Sequence, residues 1–159
     1  MNQAKKLLRI SLRAKRLAMT EEEVLKKSVV ISEKLLAEVS WENVRSLHIY
    51  SSVPAWKEVS TEPIIKALKE NWPSIEITVA GLSKAQPLSK KQYDLIIVPI
   101  LGFDAQNHRL GLGGGFYDRF LATQKKALKI GIGFSMGFRE DGLPREKHDI
   151  ALDKIITEV

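Results

Sequence analysis

The chain has 159 residues and a mass of 17.9 kDa, the size of one ordinary domain, and we expect a single domain over residues 1–159. Hydrophobic residues at 44% and charged residues at 28% exclude a disordered tail, a fibre or a low-complexity linker, and the absence of cysteine excludes disulfides, thiolate metal sites, iron–sulfur clusters and cysteine nucleophiles. Lys plus Arg at 25 against Asp plus Glu at 19 leaves a net charge of +6, which suits an anionic partner.

Residues 4–17 place Leu7, Ile10, Ala14 and Leu17 at helical spacing, which predicts their burial on one face of an amphipathic helix. On another face Lys5, Arg9, Arg13 and Arg16 fall within roughly an 80° arc, because each residue advances about 100° around the axis. Such a stripe is either a solvated face or an anion-binding one, and both readings stay open on the residues alone. The segment has no apolar run of secretory type and no stretch approaches the roughly 18 apolar residues of a membrane span, so a cytoplasmic protein is expected.

Thr20 with Glu23 forms a capping box ahead of a second helix that carries Val24, Leu25, Val29, Ile31, Leu35 and Leu36 to about residue 37. A strand at 46–50, a loop at 53–57 and a third helix from Thr61 and Pro63 through Glu70 follow. Further strands are predicted at 75–79 and 94–99, the latter a near-continuous apolar run suited to a sheet buried on both faces. A loop at 100–115, a helix at 116–126 and strands at 129–134 and 154–157 complete the chain. Alternating strands and helices predict a three-layer α/β/α sandwich with a Rossmann-like, mostly parallel sheet.

The densest chemical signal is Arg109-Leu110-Gly111-Leu112-Gly113-Gly114-Gly115-Phe116-Tyr117-Asp118-Arg119, a glycine-rich loop running into a helix. Glycines let backbone amides turn inward and let a ligand approach closely, which suits an oligophosphate better than a simple tight turn. Neither G-x-x-x-x-G-K-[ST] nor a complete G-x-G-x-x-G is present, since Phe116 stands where the third glycine belongs. Asp118 either complements the helix dipole or holds Mg2+. Gly133-Phe134-Ser135-Met136-Gly137 matches G-x-S-x-G, but the residues after it are too few to build the rest of a serine hydrolase site. His48, His108 and His148 are scattered without metal-ligand spacing and read as structural. Without clustered base-reading or RNA-stacking motifs, nucleic acid is not the expected partner.

Lys5-x-x-x-Arg9, Glu58-Val59-x-Thr61, Val98-Pro99 with Gly102-Phe103-Asp104, and the block from Arg109 to Arg119 together resemble the 5-formyltetrahydrofolate cyclo-ligase family. The ending, Leu143-Pro144-x-Glu146-x-His148-Asp149-x-x-Leu152-Asp153-x-Ile155-x-Thr157-Glu158, resembles it too. The resemblance implies an ATP- and Mg2+-dependent ligase that converts 5-formyltetrahydrofolate to 5,10-methenyltetrahydrofolate with release of ADP and phosphate. It implies phosphorylation of the formyl oxygen and attack by N10, chemistry that needs positioning and charge neutralisation.

Carried across by residue, the resemblance makes Lys5, Arg9, Arg109, Leu110, Gly111, Leu112, Gly113, Gly114, Gly115, Phe116 and Tyr117 ATP-binding. Val53, Glu58, Leu112, Gly113, Gly114, Gly115 and Phe116 become the folate side, Arg109 and Tyr117 catalytic, and Asp118 and Asp149 the metal ligands. Asp153 is read as structural. Small-molecule substrates, no membrane and a monomer are expected. Lys57 and Leu112 depart from the family pattern, as does the short segment 80–93 with its Gln86-Pro87, and all three departures fall on the folate side. Two other readings compete: an enzyme of the same fold that binds ATP or another phosphate ligand but uses a different substrate, and a basic nucleic-acid-binding module.

Overall fold

The computed structural model describes residues 2–81 and 90–159. Five strands, β1 (Ser46–Tyr50), β2 (Glu76–Ala80), β3 (Leu95–Pro99), β6 (Leu128–Ile132) and β7 (Lys154–Ile156), form one sheet in the order β2-β1-β3-β6-β7. Every pairing in it is parallel. Leu95, Ile96, Ile97 and Val98 of the central β3 have no solvent exposure, the burial on both faces that an unbroken apolar run requires.

Strand alternation sends Leu47, Ile49, Leu95 and Ile97 to one face. There they meet Val24, Ile31 and Leu35 of α2 (Glu21–Glu38) and Ile64 and Leu68 of α3 (Glu62–Asn71). Ile96 and Val98 point the other way, to Phe120 and Leu121 of α4 (Phe116–Ala122). Helices on both faces of a parallel sheet make the mixed α/β sandwich that the sequence predicts. His48 lies on the α4 side between Tyr93 and Phe120, its ring centroid 4.6 Å from that of Phe120, and burial lowers its pKa to about 4. It is a neutral packing residue.

The capping box at α2 is formed: Glu23 donates its N–H to Thr20 Oγ1 at 3.1 Å, and Thr20 donates its own to Glu23 Oε2 at 3.2 Å. The last helix stops at Ala122 rather than at residue 126. Gln124 explains the stop: fully buried, it accepts the Tyr93 N–H at 3.0 Å and donates to Lys91 O at 2.6 Å, clamping the chain beneath β3.

Two further expectations need correction. Residues 100–115 are not all loop, since β4 (Gly102–Phe103) and β5 (Arg109–Leu110) pair antiparallel in a small hairpin. Two-residue strands carry too little periodicity to be seen in sequence. Asp104 organises the turn, its Oδ1 accepting the N–H groups of Gln106 at 3.0 Å and His108 at 3.1 Å and its Oδ2 that of Leu143 at 3.1 Å.

The second correction concerns α1 (Gln3–Leu17). Leu7, Ile10 and Leu17 are 58%, 59% and 47% exposed, and Ala14 is exposed with them, whereas the buried residues are Lys5, Leu12 and Arg16. Leu12 packs with Leu101, Leu110 and Leu143, and of the cationic stripe Lys5 and Arg16 are buried and Arg9 half-buried while Arg13 stays exposed. Periodicity identifies two faces but not which of them the protein covers. Among the described residues no helix is long and apolar enough to cross a membrane.

Candidate active site

A cleft of about 410 Å³ opens beyond the carboxyl ends of β1 and β3. It lies at the point where the strand order reverses, the place where open α/β sheets take ligands. Its walls are α1, the turn after β1 with Tyr50, Val53, Trp56 and Glu58, the chain from Pro99 to Leu101, and the glycine loop.

The glycine loop leaves β5 and enters α4 through Gly115. Gly113 at φ 104° and Gly115 at φ 70° are left-handed, conformations that side-chain-bearing residues adopt only under strain. Arg9 donates from Nε to Gly111 O at 3.0 Å, and Arg119 from Nη1 to Gly114 O at 3.2 Å. The loop is therefore held from both flanks by guanidinium groups on its carbonyls.

Four cations of this cleft are charged groups drawn out of water. Lys5 is 6% exposed and Arg16 5%, Arg109 has a side chain 6% exposed, and Arg9 is half-buried. Burial lowers the pKa of Arg109, while Asp118, Tyr117 and Asp149 favour its charged form. Arg109 Nη2 lies 3.1 Å from Asp118 Oδ1, which also accepts the Ile150 N–H at 3.3 Å. The same guanidinium sits 5.6 Å from the centroid of the Tyr117 ring. Burial raises the pKa of Tyr117, so its hydroxyl keeps its proton at neutral pH.

Lys5 donates from Nζ to Asp149 Oδ2 at 2.5 Å and lies 3.7 Å from Glu146. Asp149 Oδ2 also accepts the Glu146 N–H at 2.8 Å. Burial alone would raise the Asp149 carboxyl, but hydrogen bonds from Lys5 and Glu146 outweigh it and hold it below its ordinary value. Asp118, His148 and Asp149 offer ligand atoms that all lie within 4.8 Å of one another. Two carboxylate oxygens suit a hard divalent cation. His148, read from sequence as structural, stands exposed at this corner with Nε2 3.0 Å from Glu146 and 3.8 Å from Asp149.

Glu58 lines the other end of the cleft at 8% exposure, its Oε2 accepting the Val53 N–H at 2.8 Å. Burial raises its pKa, with the Val53 bond and the Arg16 charge acting against the rise.

Lys5, Arg9, Val53, Glu58, Arg109, Gly111 to Tyr117, Asp118 and Asp149 thus share one cleft. Leu110 is the exception: its side chain is 1% exposed and packs with Leu12, Leu101 and Leu143, and its carbonyl accepts the Leu101 N–H at 2.9 Å. Sequence reasoning missed Tyr50 and Trp56, whose only signal is their place around the Val53 turn, and left Arg16 out of the site although it shares the helix stripe. Ser135 of the G-x-S-x-G match donates its hydroxyl to Glu158 at 2.8 Å, outside the cleft. Most of the short segment 80–93, Gln86-Pro87 included, lies outside the described residues.

Comparison with known proteins agrees with the resemblance. Residues 1–75 and 72–158 match the model of the 5-formyltetrahydrofolate cyclo-ligase family. A mouse 5-formyltetrahydrofolate cyclo-ligase is 28% identical over 196 residues, covering 99% of this chain and 95% of its own length. The Mycoplasma genitalium enzyme of that name is 40% identical over 70 residues, 43% of this chain and 41% of its own. The solved 5,10-methenyltetrahydrofolate synthetase of Mycoplasma pneumoniae superposes with a TM-score of 0.82 at 26% identity, covering 98% of this chain and 99% of that one. With nearly its whole length matched by the family model, this chain belongs to the 5-formyltetrahydrofolate cyclo-ligase family.

Proposed function

We propose that the protein is an ATP-dependent ligase that closes 5-formyltetrahydrofolate to 5,10-methenyltetrahydrofolate, releasing ADP and phosphate, with both substrates in the one cleft. The observation that carries this reading is the cleft's division. One end gathers Lys5, Arg9, Arg109 and the glycine loop; the other presents Tyr50, Trp56 and the buried carboxylate of Glu58.

In this reading the formyl oxygen attacks the γ-phosphorus and ADP departs. N10 then bonds to the formyl carbon and loses its proton as the carbon–oxygen bond breaks and phosphate leaves, so the ring closes with atoms and charge balanced. The chain's part is electrostatic. Lys5 and Arg9 bind phosphate oxygens from α1, and the glycine loop from Arg109 to Tyr117 wraps the nucleotide, Leu110 contributing backbone only. Arg109, stacked beside Tyr117, opposes the charge of the transferring group, and the protonated Tyr117 hydroxyl donates a hydrogen bond there. Val53 and Glu58 orient the folate, and Leu112 to Phe116 close over it.

Asp118 and Asp149 are the carboxylates that would hold Mg2+, with His148 at the same corner. The ion supplies neutralisation of phosphate charge when bound. The same two carboxylates pair with Arg109 and Lys5.

The test is the near-ultraviolet absorbance of methenyltetrahydrofolate after mixing the protein with 5-formyltetrahydrofolate, Mg2+ and ATP. A rise that needs ATP and scales with protein is expected. No rise, with ATP still bound by calorimetry, would move the assignment to a phosphate-ligand enzyme with another substrate.

A further inference from the structure

Arg16 is a charged side chain that the fold buries and that has no ion-pair or hydrogen-bond partner among the described residues. It is 5% exposed and lines the cleft, and among the described residues its Nε has no hydrogen-bond partner and no carboxylate forms an ion pair with it. Burial lowers its pKa, and the charge of Glu58 is the strongest influence favouring its charged form. Tyr50 does not pair with it either: its buried hydroxyl donates to Val59 O at 2.6 Å, and among the described residues it accepts no hydrogen bond from Arg16. Glu58 holds the Val53 N–H on Oε2 and makes no contact with Arg16 close enough to count as an ion pair.

A buried guanidinium and a buried carboxylate that face one cleft without pairing leave a donor set and an acceptor set both open to a ligand. Seven residues of helix, about 10 Å, separate Arg16 from Arg9, which is engaged at the glycine loop. Arg16 therefore stands at the Glu58 end of the cleft and away from Lys5, Arg9 and Arg109.

We infer that Arg16 is a substrate-binding residue, its guanidinium donating to a ring carbonyl oxygen while Glu58 accepts from adjacent N–H groups of the same planar ring. A 2-amino-4-oxo pyrimidine edge, the edge of a pterin, presents that order of donors and acceptor. The inference rests on the proposed folate chemistry and assigns the residue that reads the ring's oxygen.

The test uses Arg16→Met and Arg16→Lys in the full chain, with wild-type turnover measured first. Arg16→Met is expected to raise KM for 5-formyltetrahydrofolate about tenfold or more while KM for ATP stays within about twofold. Calorimetric affinity for 5-formyltetrahydrofolate without ATP should fall by a similar factor. The ligand-free Tm should hold or rise, since an unpaired buried charge is replaced by an apolar chain of similar length. Arg16→Lys should regain part of the affinity, and its KM split decides the question should the methionine variant not fold. An unchanged folate KM, a rise in the ATP KM instead, or a fall in Tm with both constants raised together would each overturn the assignment. Wild-type protein that neither binds nor converts 5-formyltetrahydrofolate would overturn the functional reading, and this inference with it.

Discussion

Lys5 and Asp149, 144 positions apart, meet at 2.5 Å and tie the first helix to the C-terminal segment across the mouth of the cleft. Arg109 and Asp118 form a second such pair at 3.1 Å. Each pair combines a cation suited to phosphate with a carboxylate suited to metal. The cleft thus neutralises its own charges, and on the proposed function ATP and a metal would bind by exchange, phosphate taking the cations and the metal the acids.

Asp149→Asn tests the exchange. Removing the carboxylate frees Lys5 for phosphate, so metal-free ATP should bind several-fold more tightly than to wild type, while the gain on adding Mg2+ should shrink. Calorimetric titration with and without Mg2+ reads both effects. Unchanged affinity for metal-free ATP would mean that Asp149 does not compete for Lys5.

The glycine loop separates conformation from ligand approach. At Gly113 a Cβ would lie 3.3 Å from the Arg9 guanidinium and φ is 104°, so Gly113→Ala should lower stability by about 1–3 kcal/mol and weaken ATP binding together. Gly114 has an ordinary φ and nothing within 4 Å of the position its Cβ would take. Gly114→Ala should keep the wild-type Tm; if it also loses ATP affinity, the lost space is the ligand's. Retained ATP affinity in Gly114→Ala would place the close approach elsewhere in the loop.

Most of the architecture can be read from pattern. The β3 run is apolar because it is covered on both faces, and the Thr20 capping box locates the start of α2 to the residue. The site is less legible, for physical reasons. Arg109 reaches the cleft on a hairpin of two-residue strands, too short for any periodic signal. In α1 the stripe of Leu7, Ile10 and Leu17 faces solvent while Lys5 and Arg16 face the protein, so the usual rule that apolar faces are covered points the wrong way. Lys5 and Arg16 line the cleft, and apolar periodicity does not register a charged face that turns toward a cleft. His148 gives no spacing signal because Asp118, the other member of its cluster with Asp149, comes from α4, thirty positions away in sequence.

Asp104 predicts a different class of effect, on stability. It is 1% exposed and has no part in the cleft, yet its three backbone hydrogen bonds hold the hairpin that carries Arg109. Asp104→Ala should cost about 3 kcal/mol, because three amides lose a charged acceptor. Burial alone would raise its pKa, but the bonds from Leu143, His108 and Gln106 dominate and lower it. A lowered folded-state pKa means stability present above the ordinary aspartate range near 4 and lost as pH falls through the lower folded value. Urea midpoints from pH 7 to pH 3 should fall for wild type, and Asp104→Ala should remove part of that slope. An identical acid slope in the variant would assign it to other carboxylates.

Glu58 should respond to pH with the opposite sign. Burial raises its pKa above the ordinary 4.5, so in this window the native state binds more protons than the unfolded chain, and stability falls as pH rises through it. The ionised form is nevertheless the one that accepts hydrogen bonds from a pterin edge. Folate affinity should therefore drop as pH falls through the raised value, a higher pH than an exposed glutamate would need, while this residue's contribution to stability improves. Glu58→Gln should abolish the acid limb of the folate KM profile, raise KM at neutral pH and leave Tm equal to or above wild type there. A Tm loss with an unaltered pH profile would make Glu58 a structural residue of the Val53 turn. Opposed shifts in affinity and stability are what a carboxylate kept charged in a buried site for its ligand must produce.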